Sequence, residues 1–310
     1  MAVDAALFAV ALMWASTFAL FKVAWREVDP VAFTAVRFGA MVVLAIGVLA
    51  LSRDRIRPRR ADLPLLVASG LLGYFLYQMG FILGLDRTTA VASAILISTH
   101  PIWAVVLALV VGRERPTRAQ AAGMALGFLG VAVFLRAWDA VSTVSFGDLL
   151  ALGAAACFGA YGVVTQPLSK RYPSRLVMAY GLAVGGTLVA LVGAPAVVHQ
   201  DWGRASGSTW LILVYATVGP VFLAYALWNW GIKQRGIART VVYGFAVPVL
   251  AAALAVIGLG ESIRPEQSVG AIMIVAGLVI TRLGHASQRP ALEEGAPPVG
   301  VRPSEERARP

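Results

Sequence analysis

The sequence predicts an all-α membrane protein: ten transmembrane helices built as a 5+5 inverted repeat. Three observations lead there: composition, a succession of bilayer-length apolar runs, and self-similarity at one fixed spacing. Of the 310 residues, 59% are hydrophobic and only 14% are charged, well below the roughly 25% charged residues of a soluble domain. Mean hydropathy is +0.77. A bilayer core of about 30 Å asks for roughly 20 apolar residues per helix, and uncharged stretches of that length recur along the chain.

The runs are taken in order. The first, residues 5–23, follows MAVDAALF, which lacks the basic opening of a signal peptide, so it is read as a retained span. The second, 30–51, opens at Pro30, and the third, 63–85, follows Asp62. The fourth, 89–112, carries ILISTHPIWAVV at its centre, where lipid offers nothing to an imidazole. The fifth, 117–137, follows Pro116, and the sixth, 148–167, follows Gly147 and Asp148. The seventh, 174–198, follows Pro173; the eighth spans 209–232; the ninth, 237–260, follows Gly236; the tenth spans 265–284. Residues 285–310, rich in Pro, Gly, Glu and Arg, have little to bury and are expected to be a disordered cytoplasmic tail. Cys157, the single cysteine, lies in an apolar run and is expected to be a small buried residue with no disulfide partner in the chain.

The net charge of +10 does not indicate nucleic acid, because the basic residues cluster in short loops between apolar runs. With the N-terminus cytoplasmic, that side receives 19 basic residues, at positions 53–60, 113–118, 170–175, 233–239 and 282–309. The other side receives 6: Lys22, Arg26, Arg87, Arg136, Arg204 and Arg264. Positive residues favour the inside, so both termini are expected in the cytoplasm of a cell with this protein in its inner membrane.

A shift of 147 residues matches Gly84 with Gly231, Pro101 with Pro248, Glu114 with Glu261, Gln120 with Gln267, Gly123 with Gly270 and Gly130 with Gly277. The units are 1–140 and 147–284, five helices each. Five is odd, so the second copy is inverted. Inverted halves can exchange conformations, giving one state open to each side and a site between them, the arrangement of alternating access.

The chain resembles the drug/metabolite transporter superfamily, specifically its EamA-type ten-helix exporters. The resemblance lies in ALMWASTFALFK (11–22), DPVAFTAVRF (29–38), and the pair HPIWAVVLALVVGRERPTRAQAAGMALGFLGVAVF (100–134) and VPVLAAALAVIGLGESIRPEQSVGAIMIVAGLVI (247–280). It implies a cavity lined by the first, third, fourth, sixth, eighth and ninth helices, with the fifth and tenth peripheral. The sixth run offers Cys157 and Phe158 where it would repeat Trp14, and Arg37 has no basic counterpart.

Helical spacing selects the candidate substrate-binding residues. They are Trp14 and Thr17; Tyr74, Tyr77 and Gln78; His100 and Trp103; Tyr161; and Tyr225 with Asn229 on a face running from Tyr215 through Phe222. Lipid satisfies none of their polar groups, so they are expected to turn inward, where aromatic walls and hydroxyls suit an amphipathic ligand. The alternative is interhelical packing. Pro101 and Pro248 each remove a backbone hydrogen bond and are candidate hinges. Arg37 is expected to snorkel outward toward Glu27 or Asp29, with contact to a substrate carboxylate as the lesser reading.

No Asp or Glu lies deep in any run, and no G-x-x-x-x-G-K-[ST] occurs, so ATP is not the driver and facilitated movement is favoured over proton coupling. His100, His199 and His285 are too dispersed for a metal or acid–base centre. The reading is a monomeric, cofactor-free exporter of small metabolites among membrane lipids, with hydrophobic or aromatic amino acids as leading substrates. The alternatives are an intramembrane enzyme of lipid-linked substrates and a drug or nucleotide-sugar type carrier.

Overall fold

The computed structural model describes residues 2–51, 57–111, 117–135, 144–235 and 242–286. These residues are mostly helical, with no strand among them. Hydrocarbon leaves backbone N–H and C=O groups no partner but each other, and a helix satisfies them within one segment. The helices are α1 (Ala2–Ala24), α2 (Pro30–Leu51), α3 (63–87), α4 (Ala90–Ile97), α5 (His100–Val110) and α6 (Arg118–Leu135). They continue with α7 (Phe146–Arg171), α8 (174–199), α9 (207–235), α10 (Ala246–Leu259) and α11 (Pro265–Ala286). Among the described residues, six segments are long and apolar enough to cross a membrane: Ala2–Ala24, Pro30–Gly47, Arg60–Arg87, Ala90–Val110, Phe146–Ser169 and Leu176–His199. Ala121–Phe134, Gly207–Val221, Ala246–Leu259 and Pro265–Ile280 are shorter apolar helices. The proposed tail and the loop at 113–115 with Glu114 lie outside the described residues.

Burial is distributed as lipid demands. Ile257, Val198 and Val110 are at least three-quarters exposed, whereas small and aromatic residues such as Ala11, Ala15, Phe21, Phe33 and Ala255 fill the interior. In water, that outer surface would be an aggregation hazard.

Local chemistry sets the helix ends. Ser145 and Asp148 form a reciprocal capping box at α7, with Ser145 Oγ accepting from the Asp148 amide at 3.0 Å and Asp148 Oδ2 from the Ser145 amide at 2.9 Å. Thr89 Oγ1 caps α4 by accepting from the Ala92 amide at 3.0 Å. Beyond α10, Gly260 has φ +70°, a backbone state that glycine adopts at no steric cost.

Three helices contain a π turn: Leu71–Leu76 in α3, Leu182–Gly186 in α8 and Gly219–Leu223 in α9. The fourth apolar run, expected as one helix over 89–112, is broken at Ser98 and Thr99 between α4 and α5. Pro101 supplies no amide for the Ile97 carbonyl, and the chain restarts as a new helix.

Glycines set the closest crossings. A Cβ at Gly277 of α11 would fall 2.5 Å from the Gly123 carbonyl oxygen of α6, and one at Gly130 of α6 would fall 2.9 Å from the Gly270 carbonyl oxygen of α11. The 147-residue shift exchanges these two contacts, carrying Gly123 to Gly270 and Gly130 to Gly277. A contact that maps onto itself when its partners are swapped is the mark of an approximate two-fold axis.

Polar contacts tie together the ends of α1, α2, α3, α4, α7, α9 and the loop after α10. Glu261 accepts from the amides of Ala90 and Val91 at 2.7 and 2.9 Å, at the positive N-terminus of α4. Lys22 Nζ donates to the Thr88 carbonyl at 2.6 Å, and Thr88 Oγ1 donates to Asp148 at 2.6 Å. Glu27 Oε2 accepts from the Ser206 amide, the Ser206 hydroxyl and the Thr209 hydroxyl. At the opposite end, Asp62 pairs with Arg171 and accepts from Tyr172 Oη at 2.6 Å, and Tyr243 Oη donates to Asp4 at 2.6 Å.

Candidate functional site

A cavity of about 440 Å³ lies among the helices, within the size range of small-molecule sites. Its walls come from every part of the bundle. Trp14, Thr17, Phe18 and Phe21 project from α1; Tyr74, Tyr77, Gln78 and Phe81 from α3; His100 from the start of α5; Phe158 and Tyr161 from α7; and Trp228 from α9.

The structure brings together seven of the residues expected from spacing: Trp14, Thr17, Tyr74, Tyr77, Gln78, His100 and Tyr161. The candidate hinge Pro248 also lines the cavity and is buried. Trp103 sits elsewhere, edge-on against Phe128 of α6 with ring centroids 5.2 Å apart. Ile97 and His100 flank the break at Ser98–Thr99 and both line the cavity. The side chains of Pro101, Tyr225 and Asn229 lie outside the described residues.

The aromatic wall is continuous. Trp14 lies 5.2 Å from Trp228, Tyr77 lies 4.7 Å from Phe158 and 6.1 Å from Phe81, and Tyr161 stacks on Phe158 at 5.5 Å and meets Tyr74 edge-on at 5.8 Å. Several polar groups are bound to backbone carbonyls. Trp14 Nε1 donates to the Pro220 carbonyl at 2.9 Å inside the π turn of α9. Thr17 Oγ1 donates to the Trp14 carbonyl at 2.7 Å and Ser98 Oγ to the Ile95 carbonyl at 2.6 Å. His100 Nδ1 lies 3.2 Å from the Ile97 carbonyl, the acceptor that Pro101 leaves without an amide. A carbonyl only accepts, so this contact places a proton on Nδ1.

The 147-residue shift organises the lining. It carries Trp14 to Tyr161, Gly73 to Pro220, Tyr74 to Val221, Phe81 to Trp228, Ile97 to Gly244 and His100 to Val247, and both members of each pair line the cavity. Packing follows the same mapping: Tyr161 covers Gly73, where a Cβ would come within 2.3 Å of the ring, while Trp14 reaches Pro220. The counterpart of Trp14 is therefore Tyr161, not Cys157 or Phe158. The π turns of α3 and α9 occupy matching positions as well.

Two expectations need correction. Spacing placed the inner face of α9 along Tyr215, Phe222, Tyr225 and Asn229; of these only the side chain of Tyr215 is described, and its Oη pairs with Ser16 Oγ at 2.8 Å, while Pro220, Val221 and Trp228 line the cavity. The π turn adds a residue, which rotates everything beyond it by about 100° relative to an uninterrupted helix. Arg37 does not snorkel outward. Glu27 is engaged by Ser206 and Thr209, Asp29 accepts from the amides of Val31 and Ala32, and Arg37 is 7% exposed in the cavity wall. With Phe38 and Met41 it makes α2 a lining helix, beyond the set that the family resemblance implied.

A model of the EamA-like transporter family matches this chain twice, over residues 1–136 and 145–283. A probable terminal-alkyne amino-acid exporter of Streptantibioticus cattleyicolor is 30% identical over 276 residues, 89% of this chain and 91% of that one. The aromatic amino acid exporter YddG of Ancylobacter novellus is 27% identical over 283 residues, covering 89% and 95%. An S-adenosylmethionine/S-adenosylhomocysteine transporter of Chlamydia trachomatis is 25% identical over 279 residues, 84% of each. One solved crystal structure aligns with a TM-score of 0.60 and 24% identity over 93% of this chain and 99% of that chain, a likeness of fold.

Proposed function

This chain belongs to the EamA-like transporter family, and on that premise we propose that it exports small amphipathic metabolites, hydrophobic or aromatic amino acids foremost. It is a multi-pass membrane transporter and not an enzyme. The proposed mechanism is alternating access between a first half, 1–140, and an inverted second half, 147–284, with ten spans in total, Pro101 and Pro248 as hinges and facilitated rather than ATP-driven movement. Both termini and the 285–310 tail are assigned to the cytoplasmic side of the inner membrane.

The observation that carries this reading is the paired cavity. Its walls are assembled from positions related by one fixed shift, which is what two interconverting halves need if each is to close over the same ligand. Reciprocal crossing of α6 and α11 through glycines supports the inverted relation. The two relatives named for amino-acid export support the substrate class, as do the aromatic wall and its few oriented polar groups.

Purified protein in proteoliposomes preloaded with unlabelled L-phenylalanine should take up labelled L-phenylalanine by saturable counterflow. An imposed proton gradient should change the rate little. Absence of counterflow across a panel of hydrophobic and aromatic amino acids would overturn the substrate assignment.

A further inference from the structure

Two donors in the cavity lack partners. Arg37 is 7% exposed, with Nε and Nη1 both buried and without a hydrogen-bond acceptor. Its guanidinium carbon lies 5.1 Å from the Phe21 ring centroid and 5.4 Å from that of Phe38. Gln78 is 4% exposed, and its Nε2 has no partner. Both side chains line the same cavity.

Trp14 Nε1, Thr17 Oγ1 and Ser98 Oγ are already bound to backbone carbonyls. Arginine carries its charge at all accessible pH values and has no acceptor function. Aromatic rings stabilise a guanidinium through its flat face, but they supply no acceptor for its N–H groups. A buried cation in this condition is costly unless something arrives to pair with it. No Asp or Glu is among the described lining residues, so none of them provides that partner.

Building on the transport reading above, we propose that Arg37, assisted by Gln78, is the anion-binding subsite of the cavity and selects monocarboxylates with an apolar or aromatic body. The planar guanidinium matches a carboxylate through two parallel N–H···O bonds. The aromatic wall receives the apolar body. With no carboxylate among the described lining residues, the substrate's amino group is expected to contribute little to recognition. The site is single: the 147-residue shift carries Arg37 to Val184, which offers no charge.

The test is ligand binding to the full chain in neutral detergent, read by the fluorescence of Trp14 and Trp228, alongside counterflow in proteoliposomes. 3-Phenylpropionate, which lacks the amine, should bind within about threefold of L-phenylalanine, whereas L-phenylalaninamide, which lacks the carboxylate, should bind at least tenfold more weakly. Arg37→Gln should lose at least tenfold in 3-phenylpropionate affinity with an unchanged unfolding midpoint. Arg37→Lys, which keeps the charge without the planar fork, should fall between.

Equal binding of the amide, or binding of 3-phenylpropionate by Arg37→Gln within twofold of the parent, overturns the subsite. So does failure of the parent to bind 3-phenylpropionate at all. If phosphatidylglycerol displaces the carboxylate and depends equally on Arg37, the subsite belongs to lipid phosphate and the substrate assignment falls. Carboxylate binding without counterflow would leave the subsite standing and remove the transport assignment, so the two readings fail separately.

Discussion

Gly73 gives the sharpest test of the cavity wall. A Cβ added there would lie 2.3, 2.7 and 2.8 Å from three carbons of the Tyr161 ring. Ordinary carbon contacts fall at about 3.5–4.0 Å, so the ring must retreat by more than about 1 Å. Phe158 stacks on it at 5.5 Å and Tyr74 meets it edge-on at 5.8 Å, so these neighbours must shift too or the ring must enter the cavity. Overpacking of this kind costs about 1–3 kcal/mol, which at about 1.4 kcal/mol per tenfold is roughly a 5- to 150-fold change. Gly73→Ala should weaken L-phenylalanine counterflow or binding by a factor in that range. Gly153→Ala on α7, where nothing lies within 4 Å of the new Cβ, should leave it within twofold. Adding Tyr161→Val to Gly73→Ala opens room and should recover stability, giving a favourable coupling in a double-mutant cycle. Equal behaviour of Gly73→Ala and Gly153→Ala in transport and in unfolding would refute the contact.

Other outcomes follow from the polar ends and from Trp103. Glu261→Gln removes the anion that accepts from the Ala90 and Val91 amides, and charged hydrogen bonds of this type contribute about 1.5–3 kcal/mol; reversible unfolding in detergent should show a loss of that size, and an unchanged unfolding curve would contradict it. The Thr209 hydroxyl, followed by the Ser206 amide and hydroxyl, holds Glu27 below the usual carboxylate range. A lowered folded value means that its contribution is complete above the unfolded value of about 4.3 and is lost as pH falls through the lower folded value. Unfolding midpoints of the parent and Glu27→Gln should therefore differ at pH 7 and converge in acid; a constant gap down to the acid limit would be inconsistent. Trp103→Phe keeps the edge contact with Phe128 and should transport within twofold of the parent, whereas Trp14→Phe, which loses the 2.9 Å bond to Pro220, should be impaired; the reverse order would place Trp103 in the site after all.

Much of this was legible before any coordinates. Composition and run lengths give the helical membrane class because hydrocarbon leaves the backbone so few choices. The inner face of α3 was readable because Tyr74, Tyr77, Gln78 and Phe81 all lie from within its π turn onward, so no extra residue separates Tyr77 from Phe81. On α9 a π turn intervenes between Tyr215 and Trp228, and Tyr215 pairs with Ser16 of α1 instead of lining the cavity. Spacing also presumes one unbroken helix through Ser98 and Thr99, where the structure has a break; beyond it His100 lines the cavity, while Trp103 packs against Phe128. Arg37 was misdirected for a different reason. Snorkelling is the cheapest course for an arginine near a helix end, and only the tertiary arrangement shows that Glu27 and Asp29 are already occupied. One signal was available: the ungapped shift already pairs Trp14 with Tyr161 and Phe81 with Trp228.

The glycine crossing between α6 and α11 has a consequence for entropy and motion. At Gly123, Gly130, Gly270 and Gly277 backbone meets backbone or a β-carbon, and these positions have no rotamers to exchange. A contact without side-chain freedom cannot repack by small adjustments; it holds or it separates. The aromatic walls elsewhere in the bundle have χ angles through which they can repack. Under the alternating-access proposal, relative motion of the halves would therefore concentrate away from this crossing and leave it as a fixed pivot.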